Sequence, residues 1–184
     1  MSQRFEIKYL ITKEEANQLR NKLEVLWKAK LDDHSSADGY LVESLYFDDL
    51  SKSFFQHHQD GCFSRKKIRI RWYPSSRAEG LLNPVPPFFL EVKQKRGMLT
   101  TKQRLILPTF PAYDLRRMGA NLGREFPPLY GAYLKPTLSI QYRREALRIK
   151  GEKSDLRITF DTQVRYVNYS PTKRGRQGNY LFSP

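Results

Sequence analysis

The segment SRKKIRIRWY, residues 64–73, carries a cationic side chain at every second position. These cations are Arg65, Lys67, Arg69 and Arg71. Alternate side chains of an extended strand point to opposite faces, so this segment would carry four cations on one face and apolar side chains on the other. Neighbouring like charges repel each other, and phosphate oxygens match the guanidinium fork. The segment therefore predicts a strand whose cationic face binds a polyanion such as phosphate.

Charged side chains recur in the same alternating way along the rest of the chain. They are Glu6, Lys8, Glu91, Lys93, Lys95, Lys102, Arg104, Arg144, Arg157 and Asp161. If the strands that carry them close into a barrel, one face of each strand lines the interior. An interior rich in lysine and arginine must hold water or a multiply charged anion. Carboxylates at such a site could also hold Mg²⁺, which usually takes one or two of them and leaves its other positions to water and phosphate.

The composition indicates one domain with an acidic partner. The chain has 184 residues and a formal charge of +14, from 33 Lys+Arg against 19 Asp+Glu. This excess fits nucleic acid, an anionic membrane or a phosphate polymer, and charge alone does not choose among them. A single cysteine, Cys62, excludes an intrachain disulfide and a cysteine-based zinc site. We find no apolar run near the roughly 20 residues of a membrane span and no secretory signal, and therefore expect a cytoplasmic domain.

The elements that would position these residues follow the pattern of an antiparallel α+β fold. A capping box of Thr12 and Glu15 opens a first helix, and Asp48 or Asp49 could cap a short second one. Strands are predicted over residues 4–11, 40–48, 64–73, 88–95, 98–107, 137–149 and 155–167. One or two short helices are expected between residues 108 and 135, and no regular structure is expected in the Gly-rich tail.

Six motifs in this order resemble the vacuolar transporter chaperone (VTC) domain, the catalytic domain of polyphosphate polymerases. They are RFEIKYLI, SLYFDD, KIRIRWY, FLEVKQK with KQR, QYRREAL and LRITFDT. The domain belongs to the CYTH-like superfamily of triphosphate tunnel metalloenzymes. The resemblance implies an antiparallel β-barrel tunnel flanked by helices over residues 1–168, followed by a basic tail over residues 169–184. It also implies transfer of the γ-phosphoryl group of ATP onto polyphosphate with Mn²⁺ or Mg²⁺.

The resemblance assigns roles to individual residues. Cations expected to hold the triphosphate and stabilise the transferred group are Arg69, Arg71, Lys93, Arg144 and Arg157. Further cations expected to bind the substrate chain are Lys8, Lys67, Lys95, Lys102 and Arg104. The acidic positions expected to bind metal or to orient nearby cations are Glu6, Glu91 and Asp161. A terminal phosphate of the acceptor chain would be the nucleophile, so no serine, cysteine or histidine nucleophile is needed.

One departure from the family pattern keeps other functions open. Family members carry a further C-terminal strand with an L-E-I-K-type motif, which we do not find before Pro184. The chain would then be a fragment or a natural short form, or another chain would complete the tunnel. A second copy or a membrane protein is an expected partner, and the latter would associate the chain with the inner face of a membrane. A non-catalytic domain that binds polyphosphate or inositol phosphates is the main alternative. A triphosphatase is another, although Arg4 stands where its first glutamate would be. Nucleic acid ranks below phosphate polymers as a partner.

Overall fold

The computed structural model of the chain describes residues 6–32, 38–74, 86–109, 134–151, 155–168 and 179–180. The helices in these residues are α1 (Lys13–Trp27) and α2 (Ser53–Gln59). The strands are β1 (Lys30–Leu31), β2 (Tyr40–Asp48), β3 (Ser64–Trp72), β4 (Phe88–Arg96), β5 (Leu99–Leu107), β6 (Lys135–Ile149), β7 (Leu156–Asn168) and β8 (Asn179–Tyr180). The predicted α+β class is confirmed. Neither described helix is long and apolar enough to cross a membrane.

The strands pair in the order β5-β4-β3-β2-β6-β7-β8, with β1 added on β6. Every pairing whose register is described is antiparallel. Hairpins explain part of this order. Strands β4 and β5 are joined through Gly97, whose φ of 55° is the left-handed conformation that glycine adopts without strain. The antiparallel sheet expected from the sequence is therefore confirmed.

The chain divides into two compact units. The smaller unit comprises Met1–Gly39 and Glu145–Phe160, and the larger unit comprises Tyr40–Arg144 and Asp161–Pro184. The strands of the larger unit form a curled half-barrel. Its core consists mainly of alternate side chains of β2, β3 and β4: Leu45, Phe47, Ile68, Ile70, Trp72, Phe88, Leu90 and Val92. Because these positions lie between the charged ones, the core fixes which face the charged side chains occupy.

Helix α1 of the smaller unit begins at the predicted capping box. The Glu15 amide donates to Thr12 Oγ1 at 3.1 Å, and the Thr12 amide donates to Glu15 Oε2 at 2.7 Å. The helix buries Ala16 and Leu23 against apolar side chains of β6 and β7. These two residues are seven positions apart, so one narrow stripe attaches the helix to the sheet.

Two expectations about the ends of the chain are wrong. Residues 6–11 of the predicted first strand form no strand, whereas residues 4 and 5 lie outside the described residues. Alternation alone does not make a strand, because the backbone groups also need a neighbouring strand to pair with. The tail was expected to lack structure, but Asn179–Tyr180 pairs with β7. Most of the segment expected to hold short helices, residues 110–133, lies outside the described residues.

Candidate functional site

Because successive side chains of each strand point to opposite faces of the sheet, the larger unit has a polar face opposite its apolar core. The polar face comprises Ser44, Tyr46, Arg65, Lys67, Arg69, Arg71, Glu91, Lys93, Lys95, Lys102 and Arg104, whose positions share one parity across β2, β3, β4 and β5. Cross-strand register arranges them in rows. One row runs through Tyr46, Arg69, Glu91 and Arg104. The structure thus brings eight of the predicted site residues onto one face: Lys67, Arg69, Arg71, Glu91, Lys93, Lys95, Lys102 and Arg104.

Glu91 lies within the polar face and contacts three cations from the two neighbouring strands. Its side chain is only 2% exposed. On one side, Arg69 Nε donates to Glu91 Oε2 at 2.8 Å, and Arg69 Nη2 lies 2.6 Å from the same oxygen. On the other side, Lys102 Nζ lies 2.8 Å from Oε1, and Arg104 Nε donates to Oε1 at 2.9 Å. Both carboxylate oxygens are therefore engaged by cations.

The carboxylate of Glu91 is ionised at neutral pH, and the three basic side chains around it outnumber it. Burial alone would raise the pKa of Glu91, but the charge of Arg69 and the hydrogen bond from Lys102 outweigh it and lower that pKa to about 2. Burial would lower the pKa of Arg69, whereas Tyr46 and Glu91 raise it above its ordinary value. Three cations share one carboxylate, so the cluster retains an excess of positive charge that attracts an anion.

Arg71 is a second buried guanidinium, and neutral hydroxyl groups orient it. Its Nε donates to Ser44 Oγ at 3.1 Å, and its Nη2 donates to the Tyr142 hydroxyl at 3.1 Å. Arg69 is oriented in a similar way, because its Nη1 donates to the Tyr46 hydroxyl at 3.1 Å. Neutral acceptors fix the direction of a guanidinium fork without cancelling its charge. The polar face therefore holds two guanidinium groups that hydroxyl groups orient, of which Arg69 also pairs with Glu91.

Arg144 and Asp161 form a bidentate ion pair in the larger unit. Arg144 Nε donates to Asp161 Oδ1 at 2.6 Å, and Nη2 donates to Oδ2 at 2.7 Å. Burial would lower the pKa of Arg144, but the hydrogen bonds that it donates to Asp161 outweigh the effect of burial and raise that pKa. The guanidinium of Arg144 also lies 5.0 Å from the ring centre of Tyr142. Both oxygens of Asp161 are thus already bound by a cation.

The remaining predicted residues lie in the smaller unit. Arg157 Nε is 2.7 Å from Asp32 Oδ2, and Arg148 Nη2 is 3.1 Å from the other oxygen of the same carboxylate. Lys8 and Glu6 precede α1, where Lys8 Nζ lies 3.3 Å from Glu6 Oε1 and both side chains are largely exposed. Glu6 therefore contacts a cation, and its expected roles stay predictions.

Two of the three carboxylates predicted to hold a metal, Glu91 and Asp161, do not fit a resident metal ion, and the role of Glu6 stays a prediction. No group of three or more metal-ligating side chains occurs in the part of the chain that the structure describes. Glu91 and Asp161 are each contacted on both oxygens by lysine or arginine, and Glu6 contacts Lys8. A metal ion at the carboxylate oxygens of Glu91 or Asp161 would displace those ion pairs and meet like charge. Mg²⁺ and Mn²⁺ prefer oxygen ligands that are free to coordinate them.

Sequence reasoning missed the uncharged residues of the site. Ser44, Tyr46 and Tyr142 accept the hydrogen bonds that orient the buried arginines. A signal for them existed, since Ser44 and Tyr46 share one parity of β2, and Tyr142 shares the parity of Arg144 on β6. Hydroxyl groups at these positions are not recognisable as functional until the register places them beside an arginine.

Comparison with known proteins identifies the family. The family model described as the VTC domain matches residues 3–183. No curated protein matches the chain. Among solved structures, a Bacillus halodurans protein with a provisional adenylate cyclase assignment is similar at 17% identity and a TM-score of 0.45, covering 85% of this chain and 73% of that one. Because the family match spans nearly the whole sequence, this chain belongs to the VTC domain family.

Proposed function

We propose that the polar face binds the triphosphate of ATP together with the end of a polyphosphate chain, and that the protein transfers the γ-phosphoryl group between them. In this reaction, a terminal oxygen of the polyphosphate forms a bond to the γ-phosphorus. The bond from that phosphorus to the β,γ-bridging oxygen breaks, and ADP leaves. The observation that carries the proposal is the cluster of Arg69, Lys102 and Arg104 around Glu91, which holds more positive than negative charge.

The proposed roles follow from how firmly each cation is held. Arg69 and Arg71 are oriented by hydroxyl groups, so they would fix the phosphate oxygens and stabilise charge as it spreads in the transition state. Lys93, Lys102 and Arg104 are more exposed and would neutralise neighbouring phosphoryl units. Arg144 would be a further contact to the phosphate oxygens. Mn²⁺ or Mg²⁺ would be bound to ATP when the nucleotide enters the site. The use of ATP as phosphoryl donor fits the expected cytoplasmic location.

Arg157 and Lys8 stay proposed phosphate contacts, assigned by family resemblance rather than by the polar face. Arg157 keeps part of its side chain exposed beside Asp32, and Lys8 is exposed next to Glu6. Replacing each by alanine would test the assignment. A loss of tripolyphosphate affinity in either variant would support its role.

The test is polymer synthesis by the full chain with ATP and Mn²⁺, followed by gel electrophoresis of the product. We expect Arg69→Ala to lower the rate by about 100-fold or more, since it removes an oriented charge from the transition state. Arg96→Ala is the matched control, because Arg96 is exposed and has the opposite parity on β4. Equal rates for Arg69→Ala and wild type would reject the assignment of the site.

A non-catalytic role in binding polyphosphate or inositol phosphates is the second candidate. It is favoured by the carboxylates, since Glu91 and Asp161 already bind cations on both oxygens. In this case, the full chain binds tripolyphosphate but forms no polymer with ATP and either Mn²⁺ or Mg²⁺. Absence of both binding and synthesis would reject both functions.

A further inference from the structure

Three large apolar side chains are exposed at one end of the sheet, on the turn between β4 and β5 and just before β3. This group, the apolar tip, consists of Phe63, Met98 and Leu99. These residues are 74%, 97% and 71% exposed. Single exposed apolar residues are common on protein surfaces, whereas a cluster of them marks an interaction surface.

The apolar tip is one surface rather than a set of scattered positions. The Gly97 amide donates to the Phe63 carbonyl at 2.9 Å, which brings the start of β3 to the turn between β4 and β5. A Cβ added at Gly97 would lie 2.6 Å from Phe63 Cε2, so the Phe63 ring lies against this turn. Met98 and Leu99 directly follow Gly97 in the sequence. The backbone of the hairpin therefore holds the three residues close together.

Four cations lie directly behind the apolar tip: Arg65 and Lys66 on β3, and Lys95 and Arg96 on β4. Register pairs Arg65 with Lys95 on the polar face, and the other two cations have the opposite parity. Within residues 60–66 and 94–100, these cations stand against one carboxylate, that of Asp60. The apolar tip is thus flanked by positive charge on both faces of the sheet.

An anionic lipid bilayer fits this arrangement of apolar and cationic side chains. Segments that lie at a membrane surface bury apolar side chains about 5–10 Å into the boundary between headgroups and acyl chains, and their cations contact anionic headgroups. An extended strand rises about 3.3 Å per residue, so Lys95 lies at most about 10 Å from Met98 along the chain. The apolar tip can therefore reach this boundary while the cations stay among the headgroups.

Other partners match only part of these features. A second copy of the chain would bring identical cations together at the tip, which Coulomb repulsion opposes. A nucleic acid would use the cations and could stack on Phe63, but Met98 and Leu99 offer its bases no aromatic surface. An acidic protein would need a concave pocket for the projecting Met98 side chain, whereas a fluid bilayer adapts to it.

We propose that the apolar tip docks on an anionic lipid bilayer, where its three side chains enter the interface and the four cations behind it contact lipid headgroups. The membrane partner expected from the family resemblance is a protein, whereas this contact is made with lipid directly. The docking does not depend on phosphoryl transfer and so goes beyond the proposed function. It brings one end of the polar face next to the membrane.

The test is sedimentation of the full chain with large phosphatidylcholine vesicles that contain about one third phosphatidylserine. Met98→Ser/Leu99→Ser keeps the charge of the chain and should lower the apparent affinity about tenfold or more, because the inserted apolar surface is lost. Val25→Ser/Leu26→Ser on α1 is the matched control, since these apolar residues are similarly exposed and should leave the affinity unchanged. Arg96→Gln should weaken binding about fivefold through loss of one headgroup contact.

A second measurement detects insertion without relying on the serine variant. Met98→Trp places a fluorescent side chain at the apolar tip. Its emission should shift to shorter wavelengths when phosphatidylserine vesicles are added, after subtraction of the wild-type signal from Trp27 and Trp72. An unchanged emission spectrum under conditions in which the chain sediments with vesicles would mean that the tip does not enter the bilayer.

The sedimentation experiment has three outcomes that overturn the proposal. Equal affinity of the wild type and Met98→Ser/Leu99→Ser would leave only non-specific attraction by the net charge. Equal weakening in Val25→Ser/Leu26→Ser would assign the contact to α1. Absence of vesicle binding together with retention on immobilised poly-glutamate would indicate an acidic protein as the partner. Polymer synthesis from ATP is measured separately, so failure of the proposed function is distinguishable from failure of lipid docking.

Discussion

At the level of single residues, the carboxylate of Glu91 and the cations around it depend on each other. Three cations from two strands converge on one carboxylate that is almost fully buried. Without the carboxylate, these cations would repel one another and lose their fixed positions. Glu91 therefore positions cations for an anionic ligand although its own charge repels that ligand.

Replacing Glu91 by glutamine should destabilise the protein. We expect a loss of about 2 kcal/mol, because the buried amide cannot neutralise the cations, whose own partial exposure limits the cost. For a chain of this size, the Tm should fall by roughly 4–8 °C, as measured by differential scanning calorimetry. The control is Glu24→Gln on the exposed surface of α1, which should leave the Tm unchanged. A Tm rise in Glu91→Gln would contradict the positioning role.

The stabilisation from Glu91 should disappear in acid. The pKa of this group is about 2 in the folded protein against an ordinary value of 4.5, so the unfolded chain binds more protons between these limits. Its contribution is then complete above pH 4.5 and is lost as the pH falls towards 2. Urea unfolding of wild type and Glu91→Gln from pH 6 to 2.5 isolates this group from other carboxylates. A difference in stability that persists unchanged at pH 2.5 would count against the assignment.

Arg71→Lys should damage the site although the charge is kept. A lysine ammonium lacks the planar fork that reaches Ser44 Oγ and the Tyr142 hydroxyl together. An unsatisfied buried hydroxyl costs about 1–3 kcal/mol, and tripolyphosphate should bind more weakly because the remaining cation is not oriented. Calorimetry would measure both effects. Arg65→Lys, at a more exposed position of β3, serves as the control and should retain wild-type stability.

At the level of elements, the alternation of charged and apolar residues predicted the strands that build the polar face. It failed where the formation of a strand depends on pairing with another strand. Residues 40–48 were predicted as a strand and form β2 with the same bounds. Residues 6–11 alternate equally well but form no strand, because ladder partners are distant in sequence and leave no local signal. Strands β1 and β8 have two residues each, which is too short for any periodicity.

The candidate site also has a part that the local sequence pattern predicts and a part that only strand register determines. The parity of each cation could be read from β3, β4 and β5, so the composition of the polar face was predictable. The identity of the cations that contact Glu91 was not predictable, because it depends on the register of Arg69 and Arg104 relative to Glu91. The hydroxyl partners were missed for the same reason. Register is fixed by the buried apolar side chains on the other face, not by the site itself.

Helix α2 depends on two aspartates that lie outside it. Asp48 Oδ1 accepts from the Phe54 amide and Oδ2 from the Phe55 amide, both at 3.0 Å, and Asp49 Oδ1 accepts from the Ser53 amide at 2.9 Å. The prediction that Asp48 or Asp49 caps this helix thus understated the arrangement, because both satisfy first-turn amides. The residue at the N-cap position itself makes no side-chain cap.

Asp48→Ala should therefore loosen α2 and the contact between His58 of this helix and Lys67 of β3. Loss of the cap should cost about 1–2 kcal/mol. His58 has its pKa lowered by burial and by the charges of Lys67 and Arg65, so partial release of the helix should raise that pKa towards 6.5. NMR titration of His58 would measure the change. Asp60→Ala at the other end of α2 is the control, and an equal shift there would contradict the capping argument.

At the level of the whole molecule, a charge of +14 would draw any polyanion towards the chain. Attraction of this kind is non-directional and strongly screened, whereas contacts to buried cations are screened much less. The two kinds of binding can therefore be separated by salt. Arg71 is buried, whereas Lys67 and Lys93 on the same polar face are exposed, so phosphate contacts to these two kinds of cation should respond differently to salt.

Raising NaCl from 0.1 to 1 M shortens the screening length from about 10 Å to about 3 Å. The Kd for a chain of about ten phosphates should rise more steeply with salt than the Kd for tripolyphosphate, because the longer chain can contact more of the exposed cations. Arg65→Gln/Lys95→Gln removes two cations that face each other on β3 and β4, and should reduce the steeper slope towards the shallower one. Arg96→Gln/Lys22→Gln removes the same charges from exposed positions off the polar face and should not. Equal slopes for both ligands in the wild type would mean that net charge, rather than two distinct groups of cations, governs binding.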